Sequence, residues 1–164
     1  MGRAFVFGNA VDTDVLAPGH LMKLPADELA AHCLEALDPD FARTVKPGDV
    51  LVAGHSFGVG SSREQAAVSL KRLGVSVLAV SFARIFYRNA INVGLPVVQF
   101  AQAAEIAPGD DVDLDLSLGV VADRTTGKAY SVPALPAYVL AIVRDGGLIP
   151  HLKARLAAER GSRS

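Results

Sequence analysis

An α/β fold is predicted, a single unit with a mainly parallel β-α-β-α-β centre and a C-terminal hairpin, and three observations carry it. Between residues 50 and 100, short β-branched runs alternate with two helical patterns, each closed by a glycine. Strands that alternate with helices imply parallel crossovers. Between residues 110 and 133 the period changes. Val112, Leu114, Leu116 and Leu118 alternate, a turn follows at Thr125–Lys128, and Tyr130 and Val132 resume the alternation. That is the pattern of a hairpin with one buried face. Third, the chain has 164 residues, 51% apolar and 20% charged, enough for one sizeable core and too apolar for disorder. No repeat, low-complexity tract or internal boundary interrupts it, so residues 1–164 are read as one domain.

Taken in order, Arg3 to Gly8 is a short apolar strand. Asn9 to Gly19 reads as a loop, punctuated by Asp12, Asp14, Pro18 and Gly19. Pro25 to Leu37 reads as a helix, because Pro25 suits a first turn and Leu29, Ala30, Cys33, Leu34 and Leu37 share a face. Asp38 to Pro47 is a connector. Val50 to Ala53 is a strand that runs into the glycine loop. Ser61 and Glu64 have the spacing of a capping box, and that helix continues through Leu73, with Lys71 and Arg72 in its last turn and Gly74 as its stop. Val75 to Val80 is a strand. Ser81 is the expected cap of a second helix through Asn92, ended by Gly94. Leu95 to Phe100 is the next strand. Residues 134–160 are helical, interrupted by Gly146, Gly147 and Pro150, and the final Gly161 to Ser164 are expected to fray.

Composition removes several function classes. The formal net charge is −1, from 16 basic and 17 acidic residues, so no basic excess points to nucleic acid. No apolar run approaches the ~20 residues that span a bilayer. The opening residues lack a long apolar stretch, and Val6 stands where a myristoylation signal needs Ser or Thr. A cytoplasmic protein is expected. Cys33 is the single cysteine. It permits no intrachain disulfide, and it cannot hold an iron–sulfur cluster, which needs several thiolates. In an apolar helical pattern it reads as a small buried hydrophobe. No metal site is predicted.

The segment Gly54-His55-Ser56-Phe57-Gly58-Val59-Gly60-Ser61-Ser62-Arg63 supports three readings from its residues alone. A phosphate loop needs a lysine that is missing, and the dinucleotide fingerprint needs a glycine or alanine at position 63. A serine hydrolase is suggested by Gly54, Ser56 and Gly58, which match GxSxG after a strand. There, however, the helix should begin at the nucleophile, and the only downstream histidine is His151 in a tail segment. A plain strand-to-helix turn explains the glycines but not Arg63. A helix's first turn favours acidic groups. An arginine beside two serines builds an anion site in which backbone amides, hydroxyls and a guanidinium fork suit a carboxylate.

The same segment with its continuation, Ser61-Ser62-Arg63-Glu64 and Ser81-Phe82-Ala83-Arg84-Ile85-Phe86-Tyr87-Arg88-Asn89, resembles the mobile swivel domain of the aconitase superfamily. Asp12-Thr13-Asp14 resembles that family's N-terminal acidic loop, and Lys46-Pro47-Gly48-Asp49 its lead-in to the glycine loop. The similarity runs over roughly residues 3–100, and the length suits the separately encoded small subunits. Many relatives carry cysteine at the position of Val59 and histidine at that of Gln65. Neither position holds a cluster ligand in the family.

The resemblance implies a two-subunit hydro-lyase that moves water across a double bond in a small 2-hydroxy dicarboxylic acid. A [4Fe–4S] cluster is expected in a partner large subunit, with none in this chain. It implies that Ser61 removes a proton from a substrate carbon, that Arg63 grips a carboxylate with the help of Ser62, and that Asp14 orients Ser61 or its loop. Arg84 and Arg88, one helical turn apart, are read as structural or interfacial. In this family the loop after the acidic stretch selects the substrate's side group. Homoaconitase-like relatives carry arginine at the position of Met22, so Met22 implies a branched alkyl group and the interconversion of 2- and 3-isopropylmalate in leucine biosynthesis. Lys23 is the neighbouring complication. A related hydro-lyase acting on homoaconitate, dimethylmalate or methylmalate, or a serine hydrolase using Ser56, stays open.

Overall fold

The computed structural model describes residues 2–162. Strands β1 (Gly2–Val6), β2 (Val50–Ala53), β3 (Ser76–Ala79), β4 (Val97–Gln99), β5 (Asp111–Asp115), β6 (Val120–Asp123) and β7 (Lys128–Ser131) form one sheet in the order β4-β3-β2-β1-β5-β6-β7. The first four strands pair in parallel. From β1 outward the pairing is antiparallel. The predicted hairpin is therefore the outer part of a three-stranded meander. Its extra turn is made by Asp115, whose carboxylate accepts from the amides of Ser117 and Leu118, and by Gly119 at φ 70°. This local capping stops the alternation at Leu116, and it cannot be seen from hydrophobic period alone.

Helices α1 (Thr13–Leu16), α2 (Ala26–Ala30), α3 (Phe41–Thr44), α4 (Glu64–Leu73), α5 (Arg84–Val93), α6 (Ala137–Arg144) and α7 (Leu148–Ser162) complete the chain. The central strands are buried on both faces, as parallel strands are. Leu51, Ala53, Val77, Ala79 and Val97 face a core with α2, α4 and α5 that includes Phe41, Phe57, Leu70 and Phe86. Val50, Val52, Leu78 and Val98 face a second core closed by Phe100, Ile106, Val112 and Val121. The sheet thus curls so that its meander packs on its own parallel half. α4 and α5 end at Gly74 and Gly94, both left-handed, as predicted.

The predicted helix over 25–37 is shorter than its pattern. α2 ends at Ala30, and Leu34 adopts φ 62° with its amide bonded to Val15 O. Burying Leu34 completely against the N-terminal segment outweighs helical continuation, and Leu37 is left exposed. Pro150 lies in the first turn of α7, where its missing N–H costs nothing, so Gly146 and Gly147 alone break the helical tail. Gly161 and Ser162 close α7, while Arg163 and Ser164 lie outside the described residues. No helix is long and apolar enough to cross a membrane among the described residues.

Candidate functional site

Three loops leave the carboxyl ends of β1, β2 and β3, the end at which open α/β sheets bind ligands. Backbone pairing zips them together. Ala10 N donates to His55 O, Gly58 N to Val11 O at 2.7 Å, and Thr13 N to Val59 O. On the other side Phe57 N donates to Ser81 O and Ala83 N to Phe57 O. The glycine loop is therefore a strand-like element held between its neighbours. Its glycines have separate causes. A Cβ on Gly54 would stand 1.9 Å from Asn9 Oδ1, the atom that accepts from His55 N. Gly58, at φ 84°, leaves room for Phe86, whose ring would meet a Cβ at 2.2 Å. Phe86 in turn meets Phe57 edge to face and stacks with Phe82.

The predicted capping box is not formed. α4 begins at Glu64 with Arg63 in the N-cap position, in extended backbone and without a side-chain cap bond. Arg63 N donates instead to Ser61 O at 2.8 Å, a tight turn that takes Ser61 out of the helix. The Ser61 hydroxyl is exposed and makes no hydrogen bond among the described residues. Ser81 likewise does not cap α5, which starts after Ala83. Its hydroxyl accepts from Ser56 N at 2.8 Å and braces the glycine loop.

Arg63 reaches back across the chain. Its Nη1 donates to Asp14 Oδ1 at 2.8 Å and to Ala17 O at 3.2 Å. The same Asp14 oxygen accepts from Gly19 N at 2.9 Å. α1 holds Asp14 in place because Asp12 caps it through Val15 N. The Arg63 hydrogen bond, followed by that of Gly19, holds the Asp14 carboxyl below its ordinary range. A Cβ on Gly19 would lie 3.1 Å from Arg63 Nη2 and 3.2 Å from Asp14 Oδ1, so this glycine makes space for the pair.

Of the predicted site residues, Asp14 and Arg63 are in direct contact, and Ser61 and Ser62 stand exposed in the two positions before Arg63. Met22 follows the 3-10 turn Gly19–Leu21, half-buried and packed against the main core. Gly19, Ala17 O and Ser81 are additional contributors. The proline-glycine pair Pro18-Gly19, which closes the loop opened by Asp12 and Asp14, is the available signal for Gly19. Cys33 is fully buried, which pushes its thiol far up. No group of three or more His, Cys, Asp or Glu gathers to hold a metal among the described residues. A cavity of about 360 Å³ opens at the same end of the sheet, lined by Phe7, Asn9, Val52 and His55 among others. It includes none of Ser61, Ser62, Arg63, Asp14 or Met22. Ser61, Ser62 and Asp14 are exposed, whereas Arg63 and Met22 are half-buried.

Ser56 has an elbow-like φ of 58° and is exposed. Yet α4 begins eight residues later, and His151 belongs to α7, engaged by Asp145 at 2.7 Å. The hydrolase reading lacks a base.

The matched segment places the chain in the aconitase class: residues 32–103 match the family described as the aconitase C-terminal domain. The chain is 48% identical over 155 residues to 3-isopropylmalate dehydratase small subunit 1 of Thermotoga maritima, covering 93% of each protein. It is 49% identical to the methanogen homoaconitase small subunit of Methanothermobacter thermautotrophicus, covering 92% of this chain and 88% of that one. The crystal structure of 3-isopropylmalate dehydratase from Methanocaldococcus jannaschii superposes with a TM-score of 0.92 at 42% identity, covering 98% of this chain and 97% of the other. The chain belongs to the family of aconitase-type dehydratase small subunits.

Proposed function

We propose that this chain is the small subunit of a heteromeric hydro-lyase that interconverts 2- and 3-isopropylmalate by dehydration and rehydration, in the cytoplasm, for leucine biosynthesis. The observation that carries the reading is the half-site at the strand ends. A guanidinium is held in place by an acidic residue 49 positions away, with an unpaired serine hydroxyl two residues before it.

The donor set here does not suit an iron–sulfur cluster, since the single cysteine is buried in the core. A cluster held by the partner large subunit would supply a Lewis acid that activates the substrate's leaving hydroxyl. This chain's residues do the rest. Arg63 presents the edge not used by Asp14 to a substrate carboxylate, and Ser62 adds a hydroxyl donor. Ser61 takes the proton from the carbon beside the one that bears the hydroxyl. After the intermediate is rehydrated in the opposite sense, it returns a proton to the other carbon. A serine alkoxide is too unstable in water for this work. The neighbouring guanidinium and the positive end of α4 stabilise the charged form. Asp14 acts through Arg63, which it orients.

Isopropylmalate is assigned over homoaconitate because Met22 is apolar, and an apolar wall cannot satisfy an extra carboxylate. Overall identity does not discriminate, since relatives named for the two substrates stand at 48% and 49%. The test is Ser61→Ala, assembled with the large subunit. Ser61 caps no helix, so folding and assembly should be unchanged while turnover falls by roughly 10²–10⁴. Ser56→Ala should stay close to wild type. Near wild-type turnover by the Ser61 variant overturns the assignment of the base, and loss of activity in the Ser56 variant revives the hydrolase.

A further inference from the structure

We infer that the C-terminal helix α7 is an interaction surface for a second copy of this chain. Two copies join through it as an antiparallel, two-fold helix pair, at the end of the domain away from the half-site.

α7 packs against α5 and α6, but from Leu152 to Gly161 every residue is exposed. A helical segment this short is marginal in water without tertiary cover. Its free surface carries an apolar stripe. Ile149, Leu152 and Leu156 are 61%, 42% and 53% exposed. Their spacing of three and then four residues sets them in one row, the seam of paired helices. That seam is the same read from either end. In an antiparallel pair centred between positions 152 and 153, Ile149 of each copy lies over Leu156 of the other, and Leu152 lies at the axis.

The charges agree with this register. It brings Arg160 of each copy to Asp145 of the other, just before α7. Asp145 is 42% exposed and engages His151 through Oδ2, which leaves Oδ1 to accept the arriving guanidinium. Glu159 arrives beside Gly146, whose carbonyl accepts from the Lys71 ammonium. Lys153 lies next to the axis, where its stem covers Leu152 and its ammonium stays in water. A parallel pair would instead set Arg155 against Arg160, like charge against like. The seam is also remote from the half-site. α5 begins at the glycine loop, where Ala83 N donates to Phe57 O, and it is 10 residues long. α7 starts at the other end of α5, so close to Gly94 that a Cβ there would meet the Gly146 carbonyl carbon at 2.6 Å. At 1.5 Å per residue the two ends are about 15 Å apart. A second copy on α7 therefore leaves the half-site open to the large subunit.

The experiment is sedimentation equilibrium of the full chain over a range of concentrations, with the assembled enzyme run beside it. One helix pair buries less than a standard interface, so wild type should pass from monomer to dimer in the micromolar range. Leu156→Glu sets a carboxylate into the seam twice and should raise the dimer's Kd by about a hundredfold or more. Leu156 is exposed in the single chain, so the melting temperature in dilute solution should not move. Arg160→Asp and Asp145→Lys should each raise Kd about two- to thirtyfold, the worth of two exposed ion pairs. Together they should bring Kd back to within about threefold of wild type, because coupled neighbours are not additive. Wild type that stays monomeric throughout, or a Leu156→Glu chain that dimerises as wild type does, overturns the inference. So does a double variant no better than either single change, since the register is then a different one. A Leu156→Glu chain that loses the large subunit while its own mass is unchanged gives the seam to that partner and overturns the inference as well.

Discussion

Replacing Arg63 with lysine separates what this residue does for the fold from what it does for the substrate. The Arg63 side chain is 25% exposed and its partner Asp14 69% exposed. Such ion pairs add little to stability. α4 loses no side-chain cap either, because Arg63 makes none. The melting temperature of Arg63→Lys should therefore stay within about 3 °C of wild type, small for a domain of this size. Binding is another matter. Nη1 is already divided between Asp14 Oδ1 and Ala17 O, so the substrate's carboxylate must be taken by the remaining edge of a planar fork. Lysine can keep the contact to Asp14 or reach the substrate, but its single ammonium cannot serve both in fixed geometry. Losing a hydrogen bond to a charged group costs about 1.5–3 kcal/mol. That corresponds to roughly a ten- to hundredfold fall in kcat/KM. The assay is steady-state turnover of the assembled enzyme beside a thermal melt of the isolated chain. A lysine variant with wild-type kcat/KM would refute the reasoning, because Arg63 would then serve only its partner Asp14. A melting temperature lowered by ten degrees would refute it from the other side.

Gly58→Ala should be the damaging glycine change, since φ is 84° and a Cβ would lie 2.2 Å from Cγ of buried Phe86. Strain and overpacking together cost about 2–5 kcal/mol, a drop of roughly 5–15 °C by calorimetry, and an unchanged melt would mean that the loop relaxes freely. Met22→Arg should cut isopropylmalate turnover and shift the preference toward homoaconitate by about ten- to a hundredfold, with some loss of stability because Met22 packs on the core. Unchanged substrate ratios would remove the main support for isopropylmalate. Asp14 titrates below its ordinary value of 3.8, chiefly through Arg63. A depressed carboxyl contributes stability that is present above that value and lost as pH falls through the lower, folded-state value. Urea denaturation of wild type and Asp14→Asn should therefore differ by a constant amount at neutral pH and converge below about pH 4. A difference that persists in strong acid would deny the ion pair its role.

The parallel centre was legible because apolar runs and left-handed glycine stops are local signals, and Gly74 and Gly94 end their helices where the pattern says. The helix starts were not. Ser61 and Ser81 both have the local chemistry of caps, but Ser61 is taken out of the helix by a tight turn to Arg63 N, and Ser81 is claimed by the glycine loop through both its carbonyl and its hydroxyl. A competing local turn decided the first case and long-range pairing the second. α1 was read as loop because four residues carry no helical period, although Asp12 three positions before Val15 marks its cap. Leu34 turns left-handed for a contact with Val15, 19 residues back, which no local window contains. In the site, family resemblance supplied Asp14 and Arg63 separately. Nothing in their spacing says that they touch.

That contact bears on how the half-site is prepared for its substrate. A carboxylate bound to the substrate-gripping arginine looks at first like a competitor, and a bidentate Asp14 would be one. The observed pairing uses one oxygen and one nitrogen. Asp14 Oδ1 spends itself on Gly19 N and Arg63 Nη1, and the Ala17 carbonyl draws on that same Nη1. Both restraints fall on one corner of the guanidinium. The rest of the fork stays available while its plane is fixed, which lowers the ordering cost of binding. The absence of a side chain at Gly19 lets the guanidinium lie against the turn rather than swing outward. Gly19→Ala should accordingly raise KM by displacing Nη2, while Asp14→Asn, which keeps an acceptor oxygen but loses the charge, should be the milder change. If the alanine variant binds substrate as wild type does and Asp14→Asn does not, charge rather than orientation is what Asp14 and its turn provide.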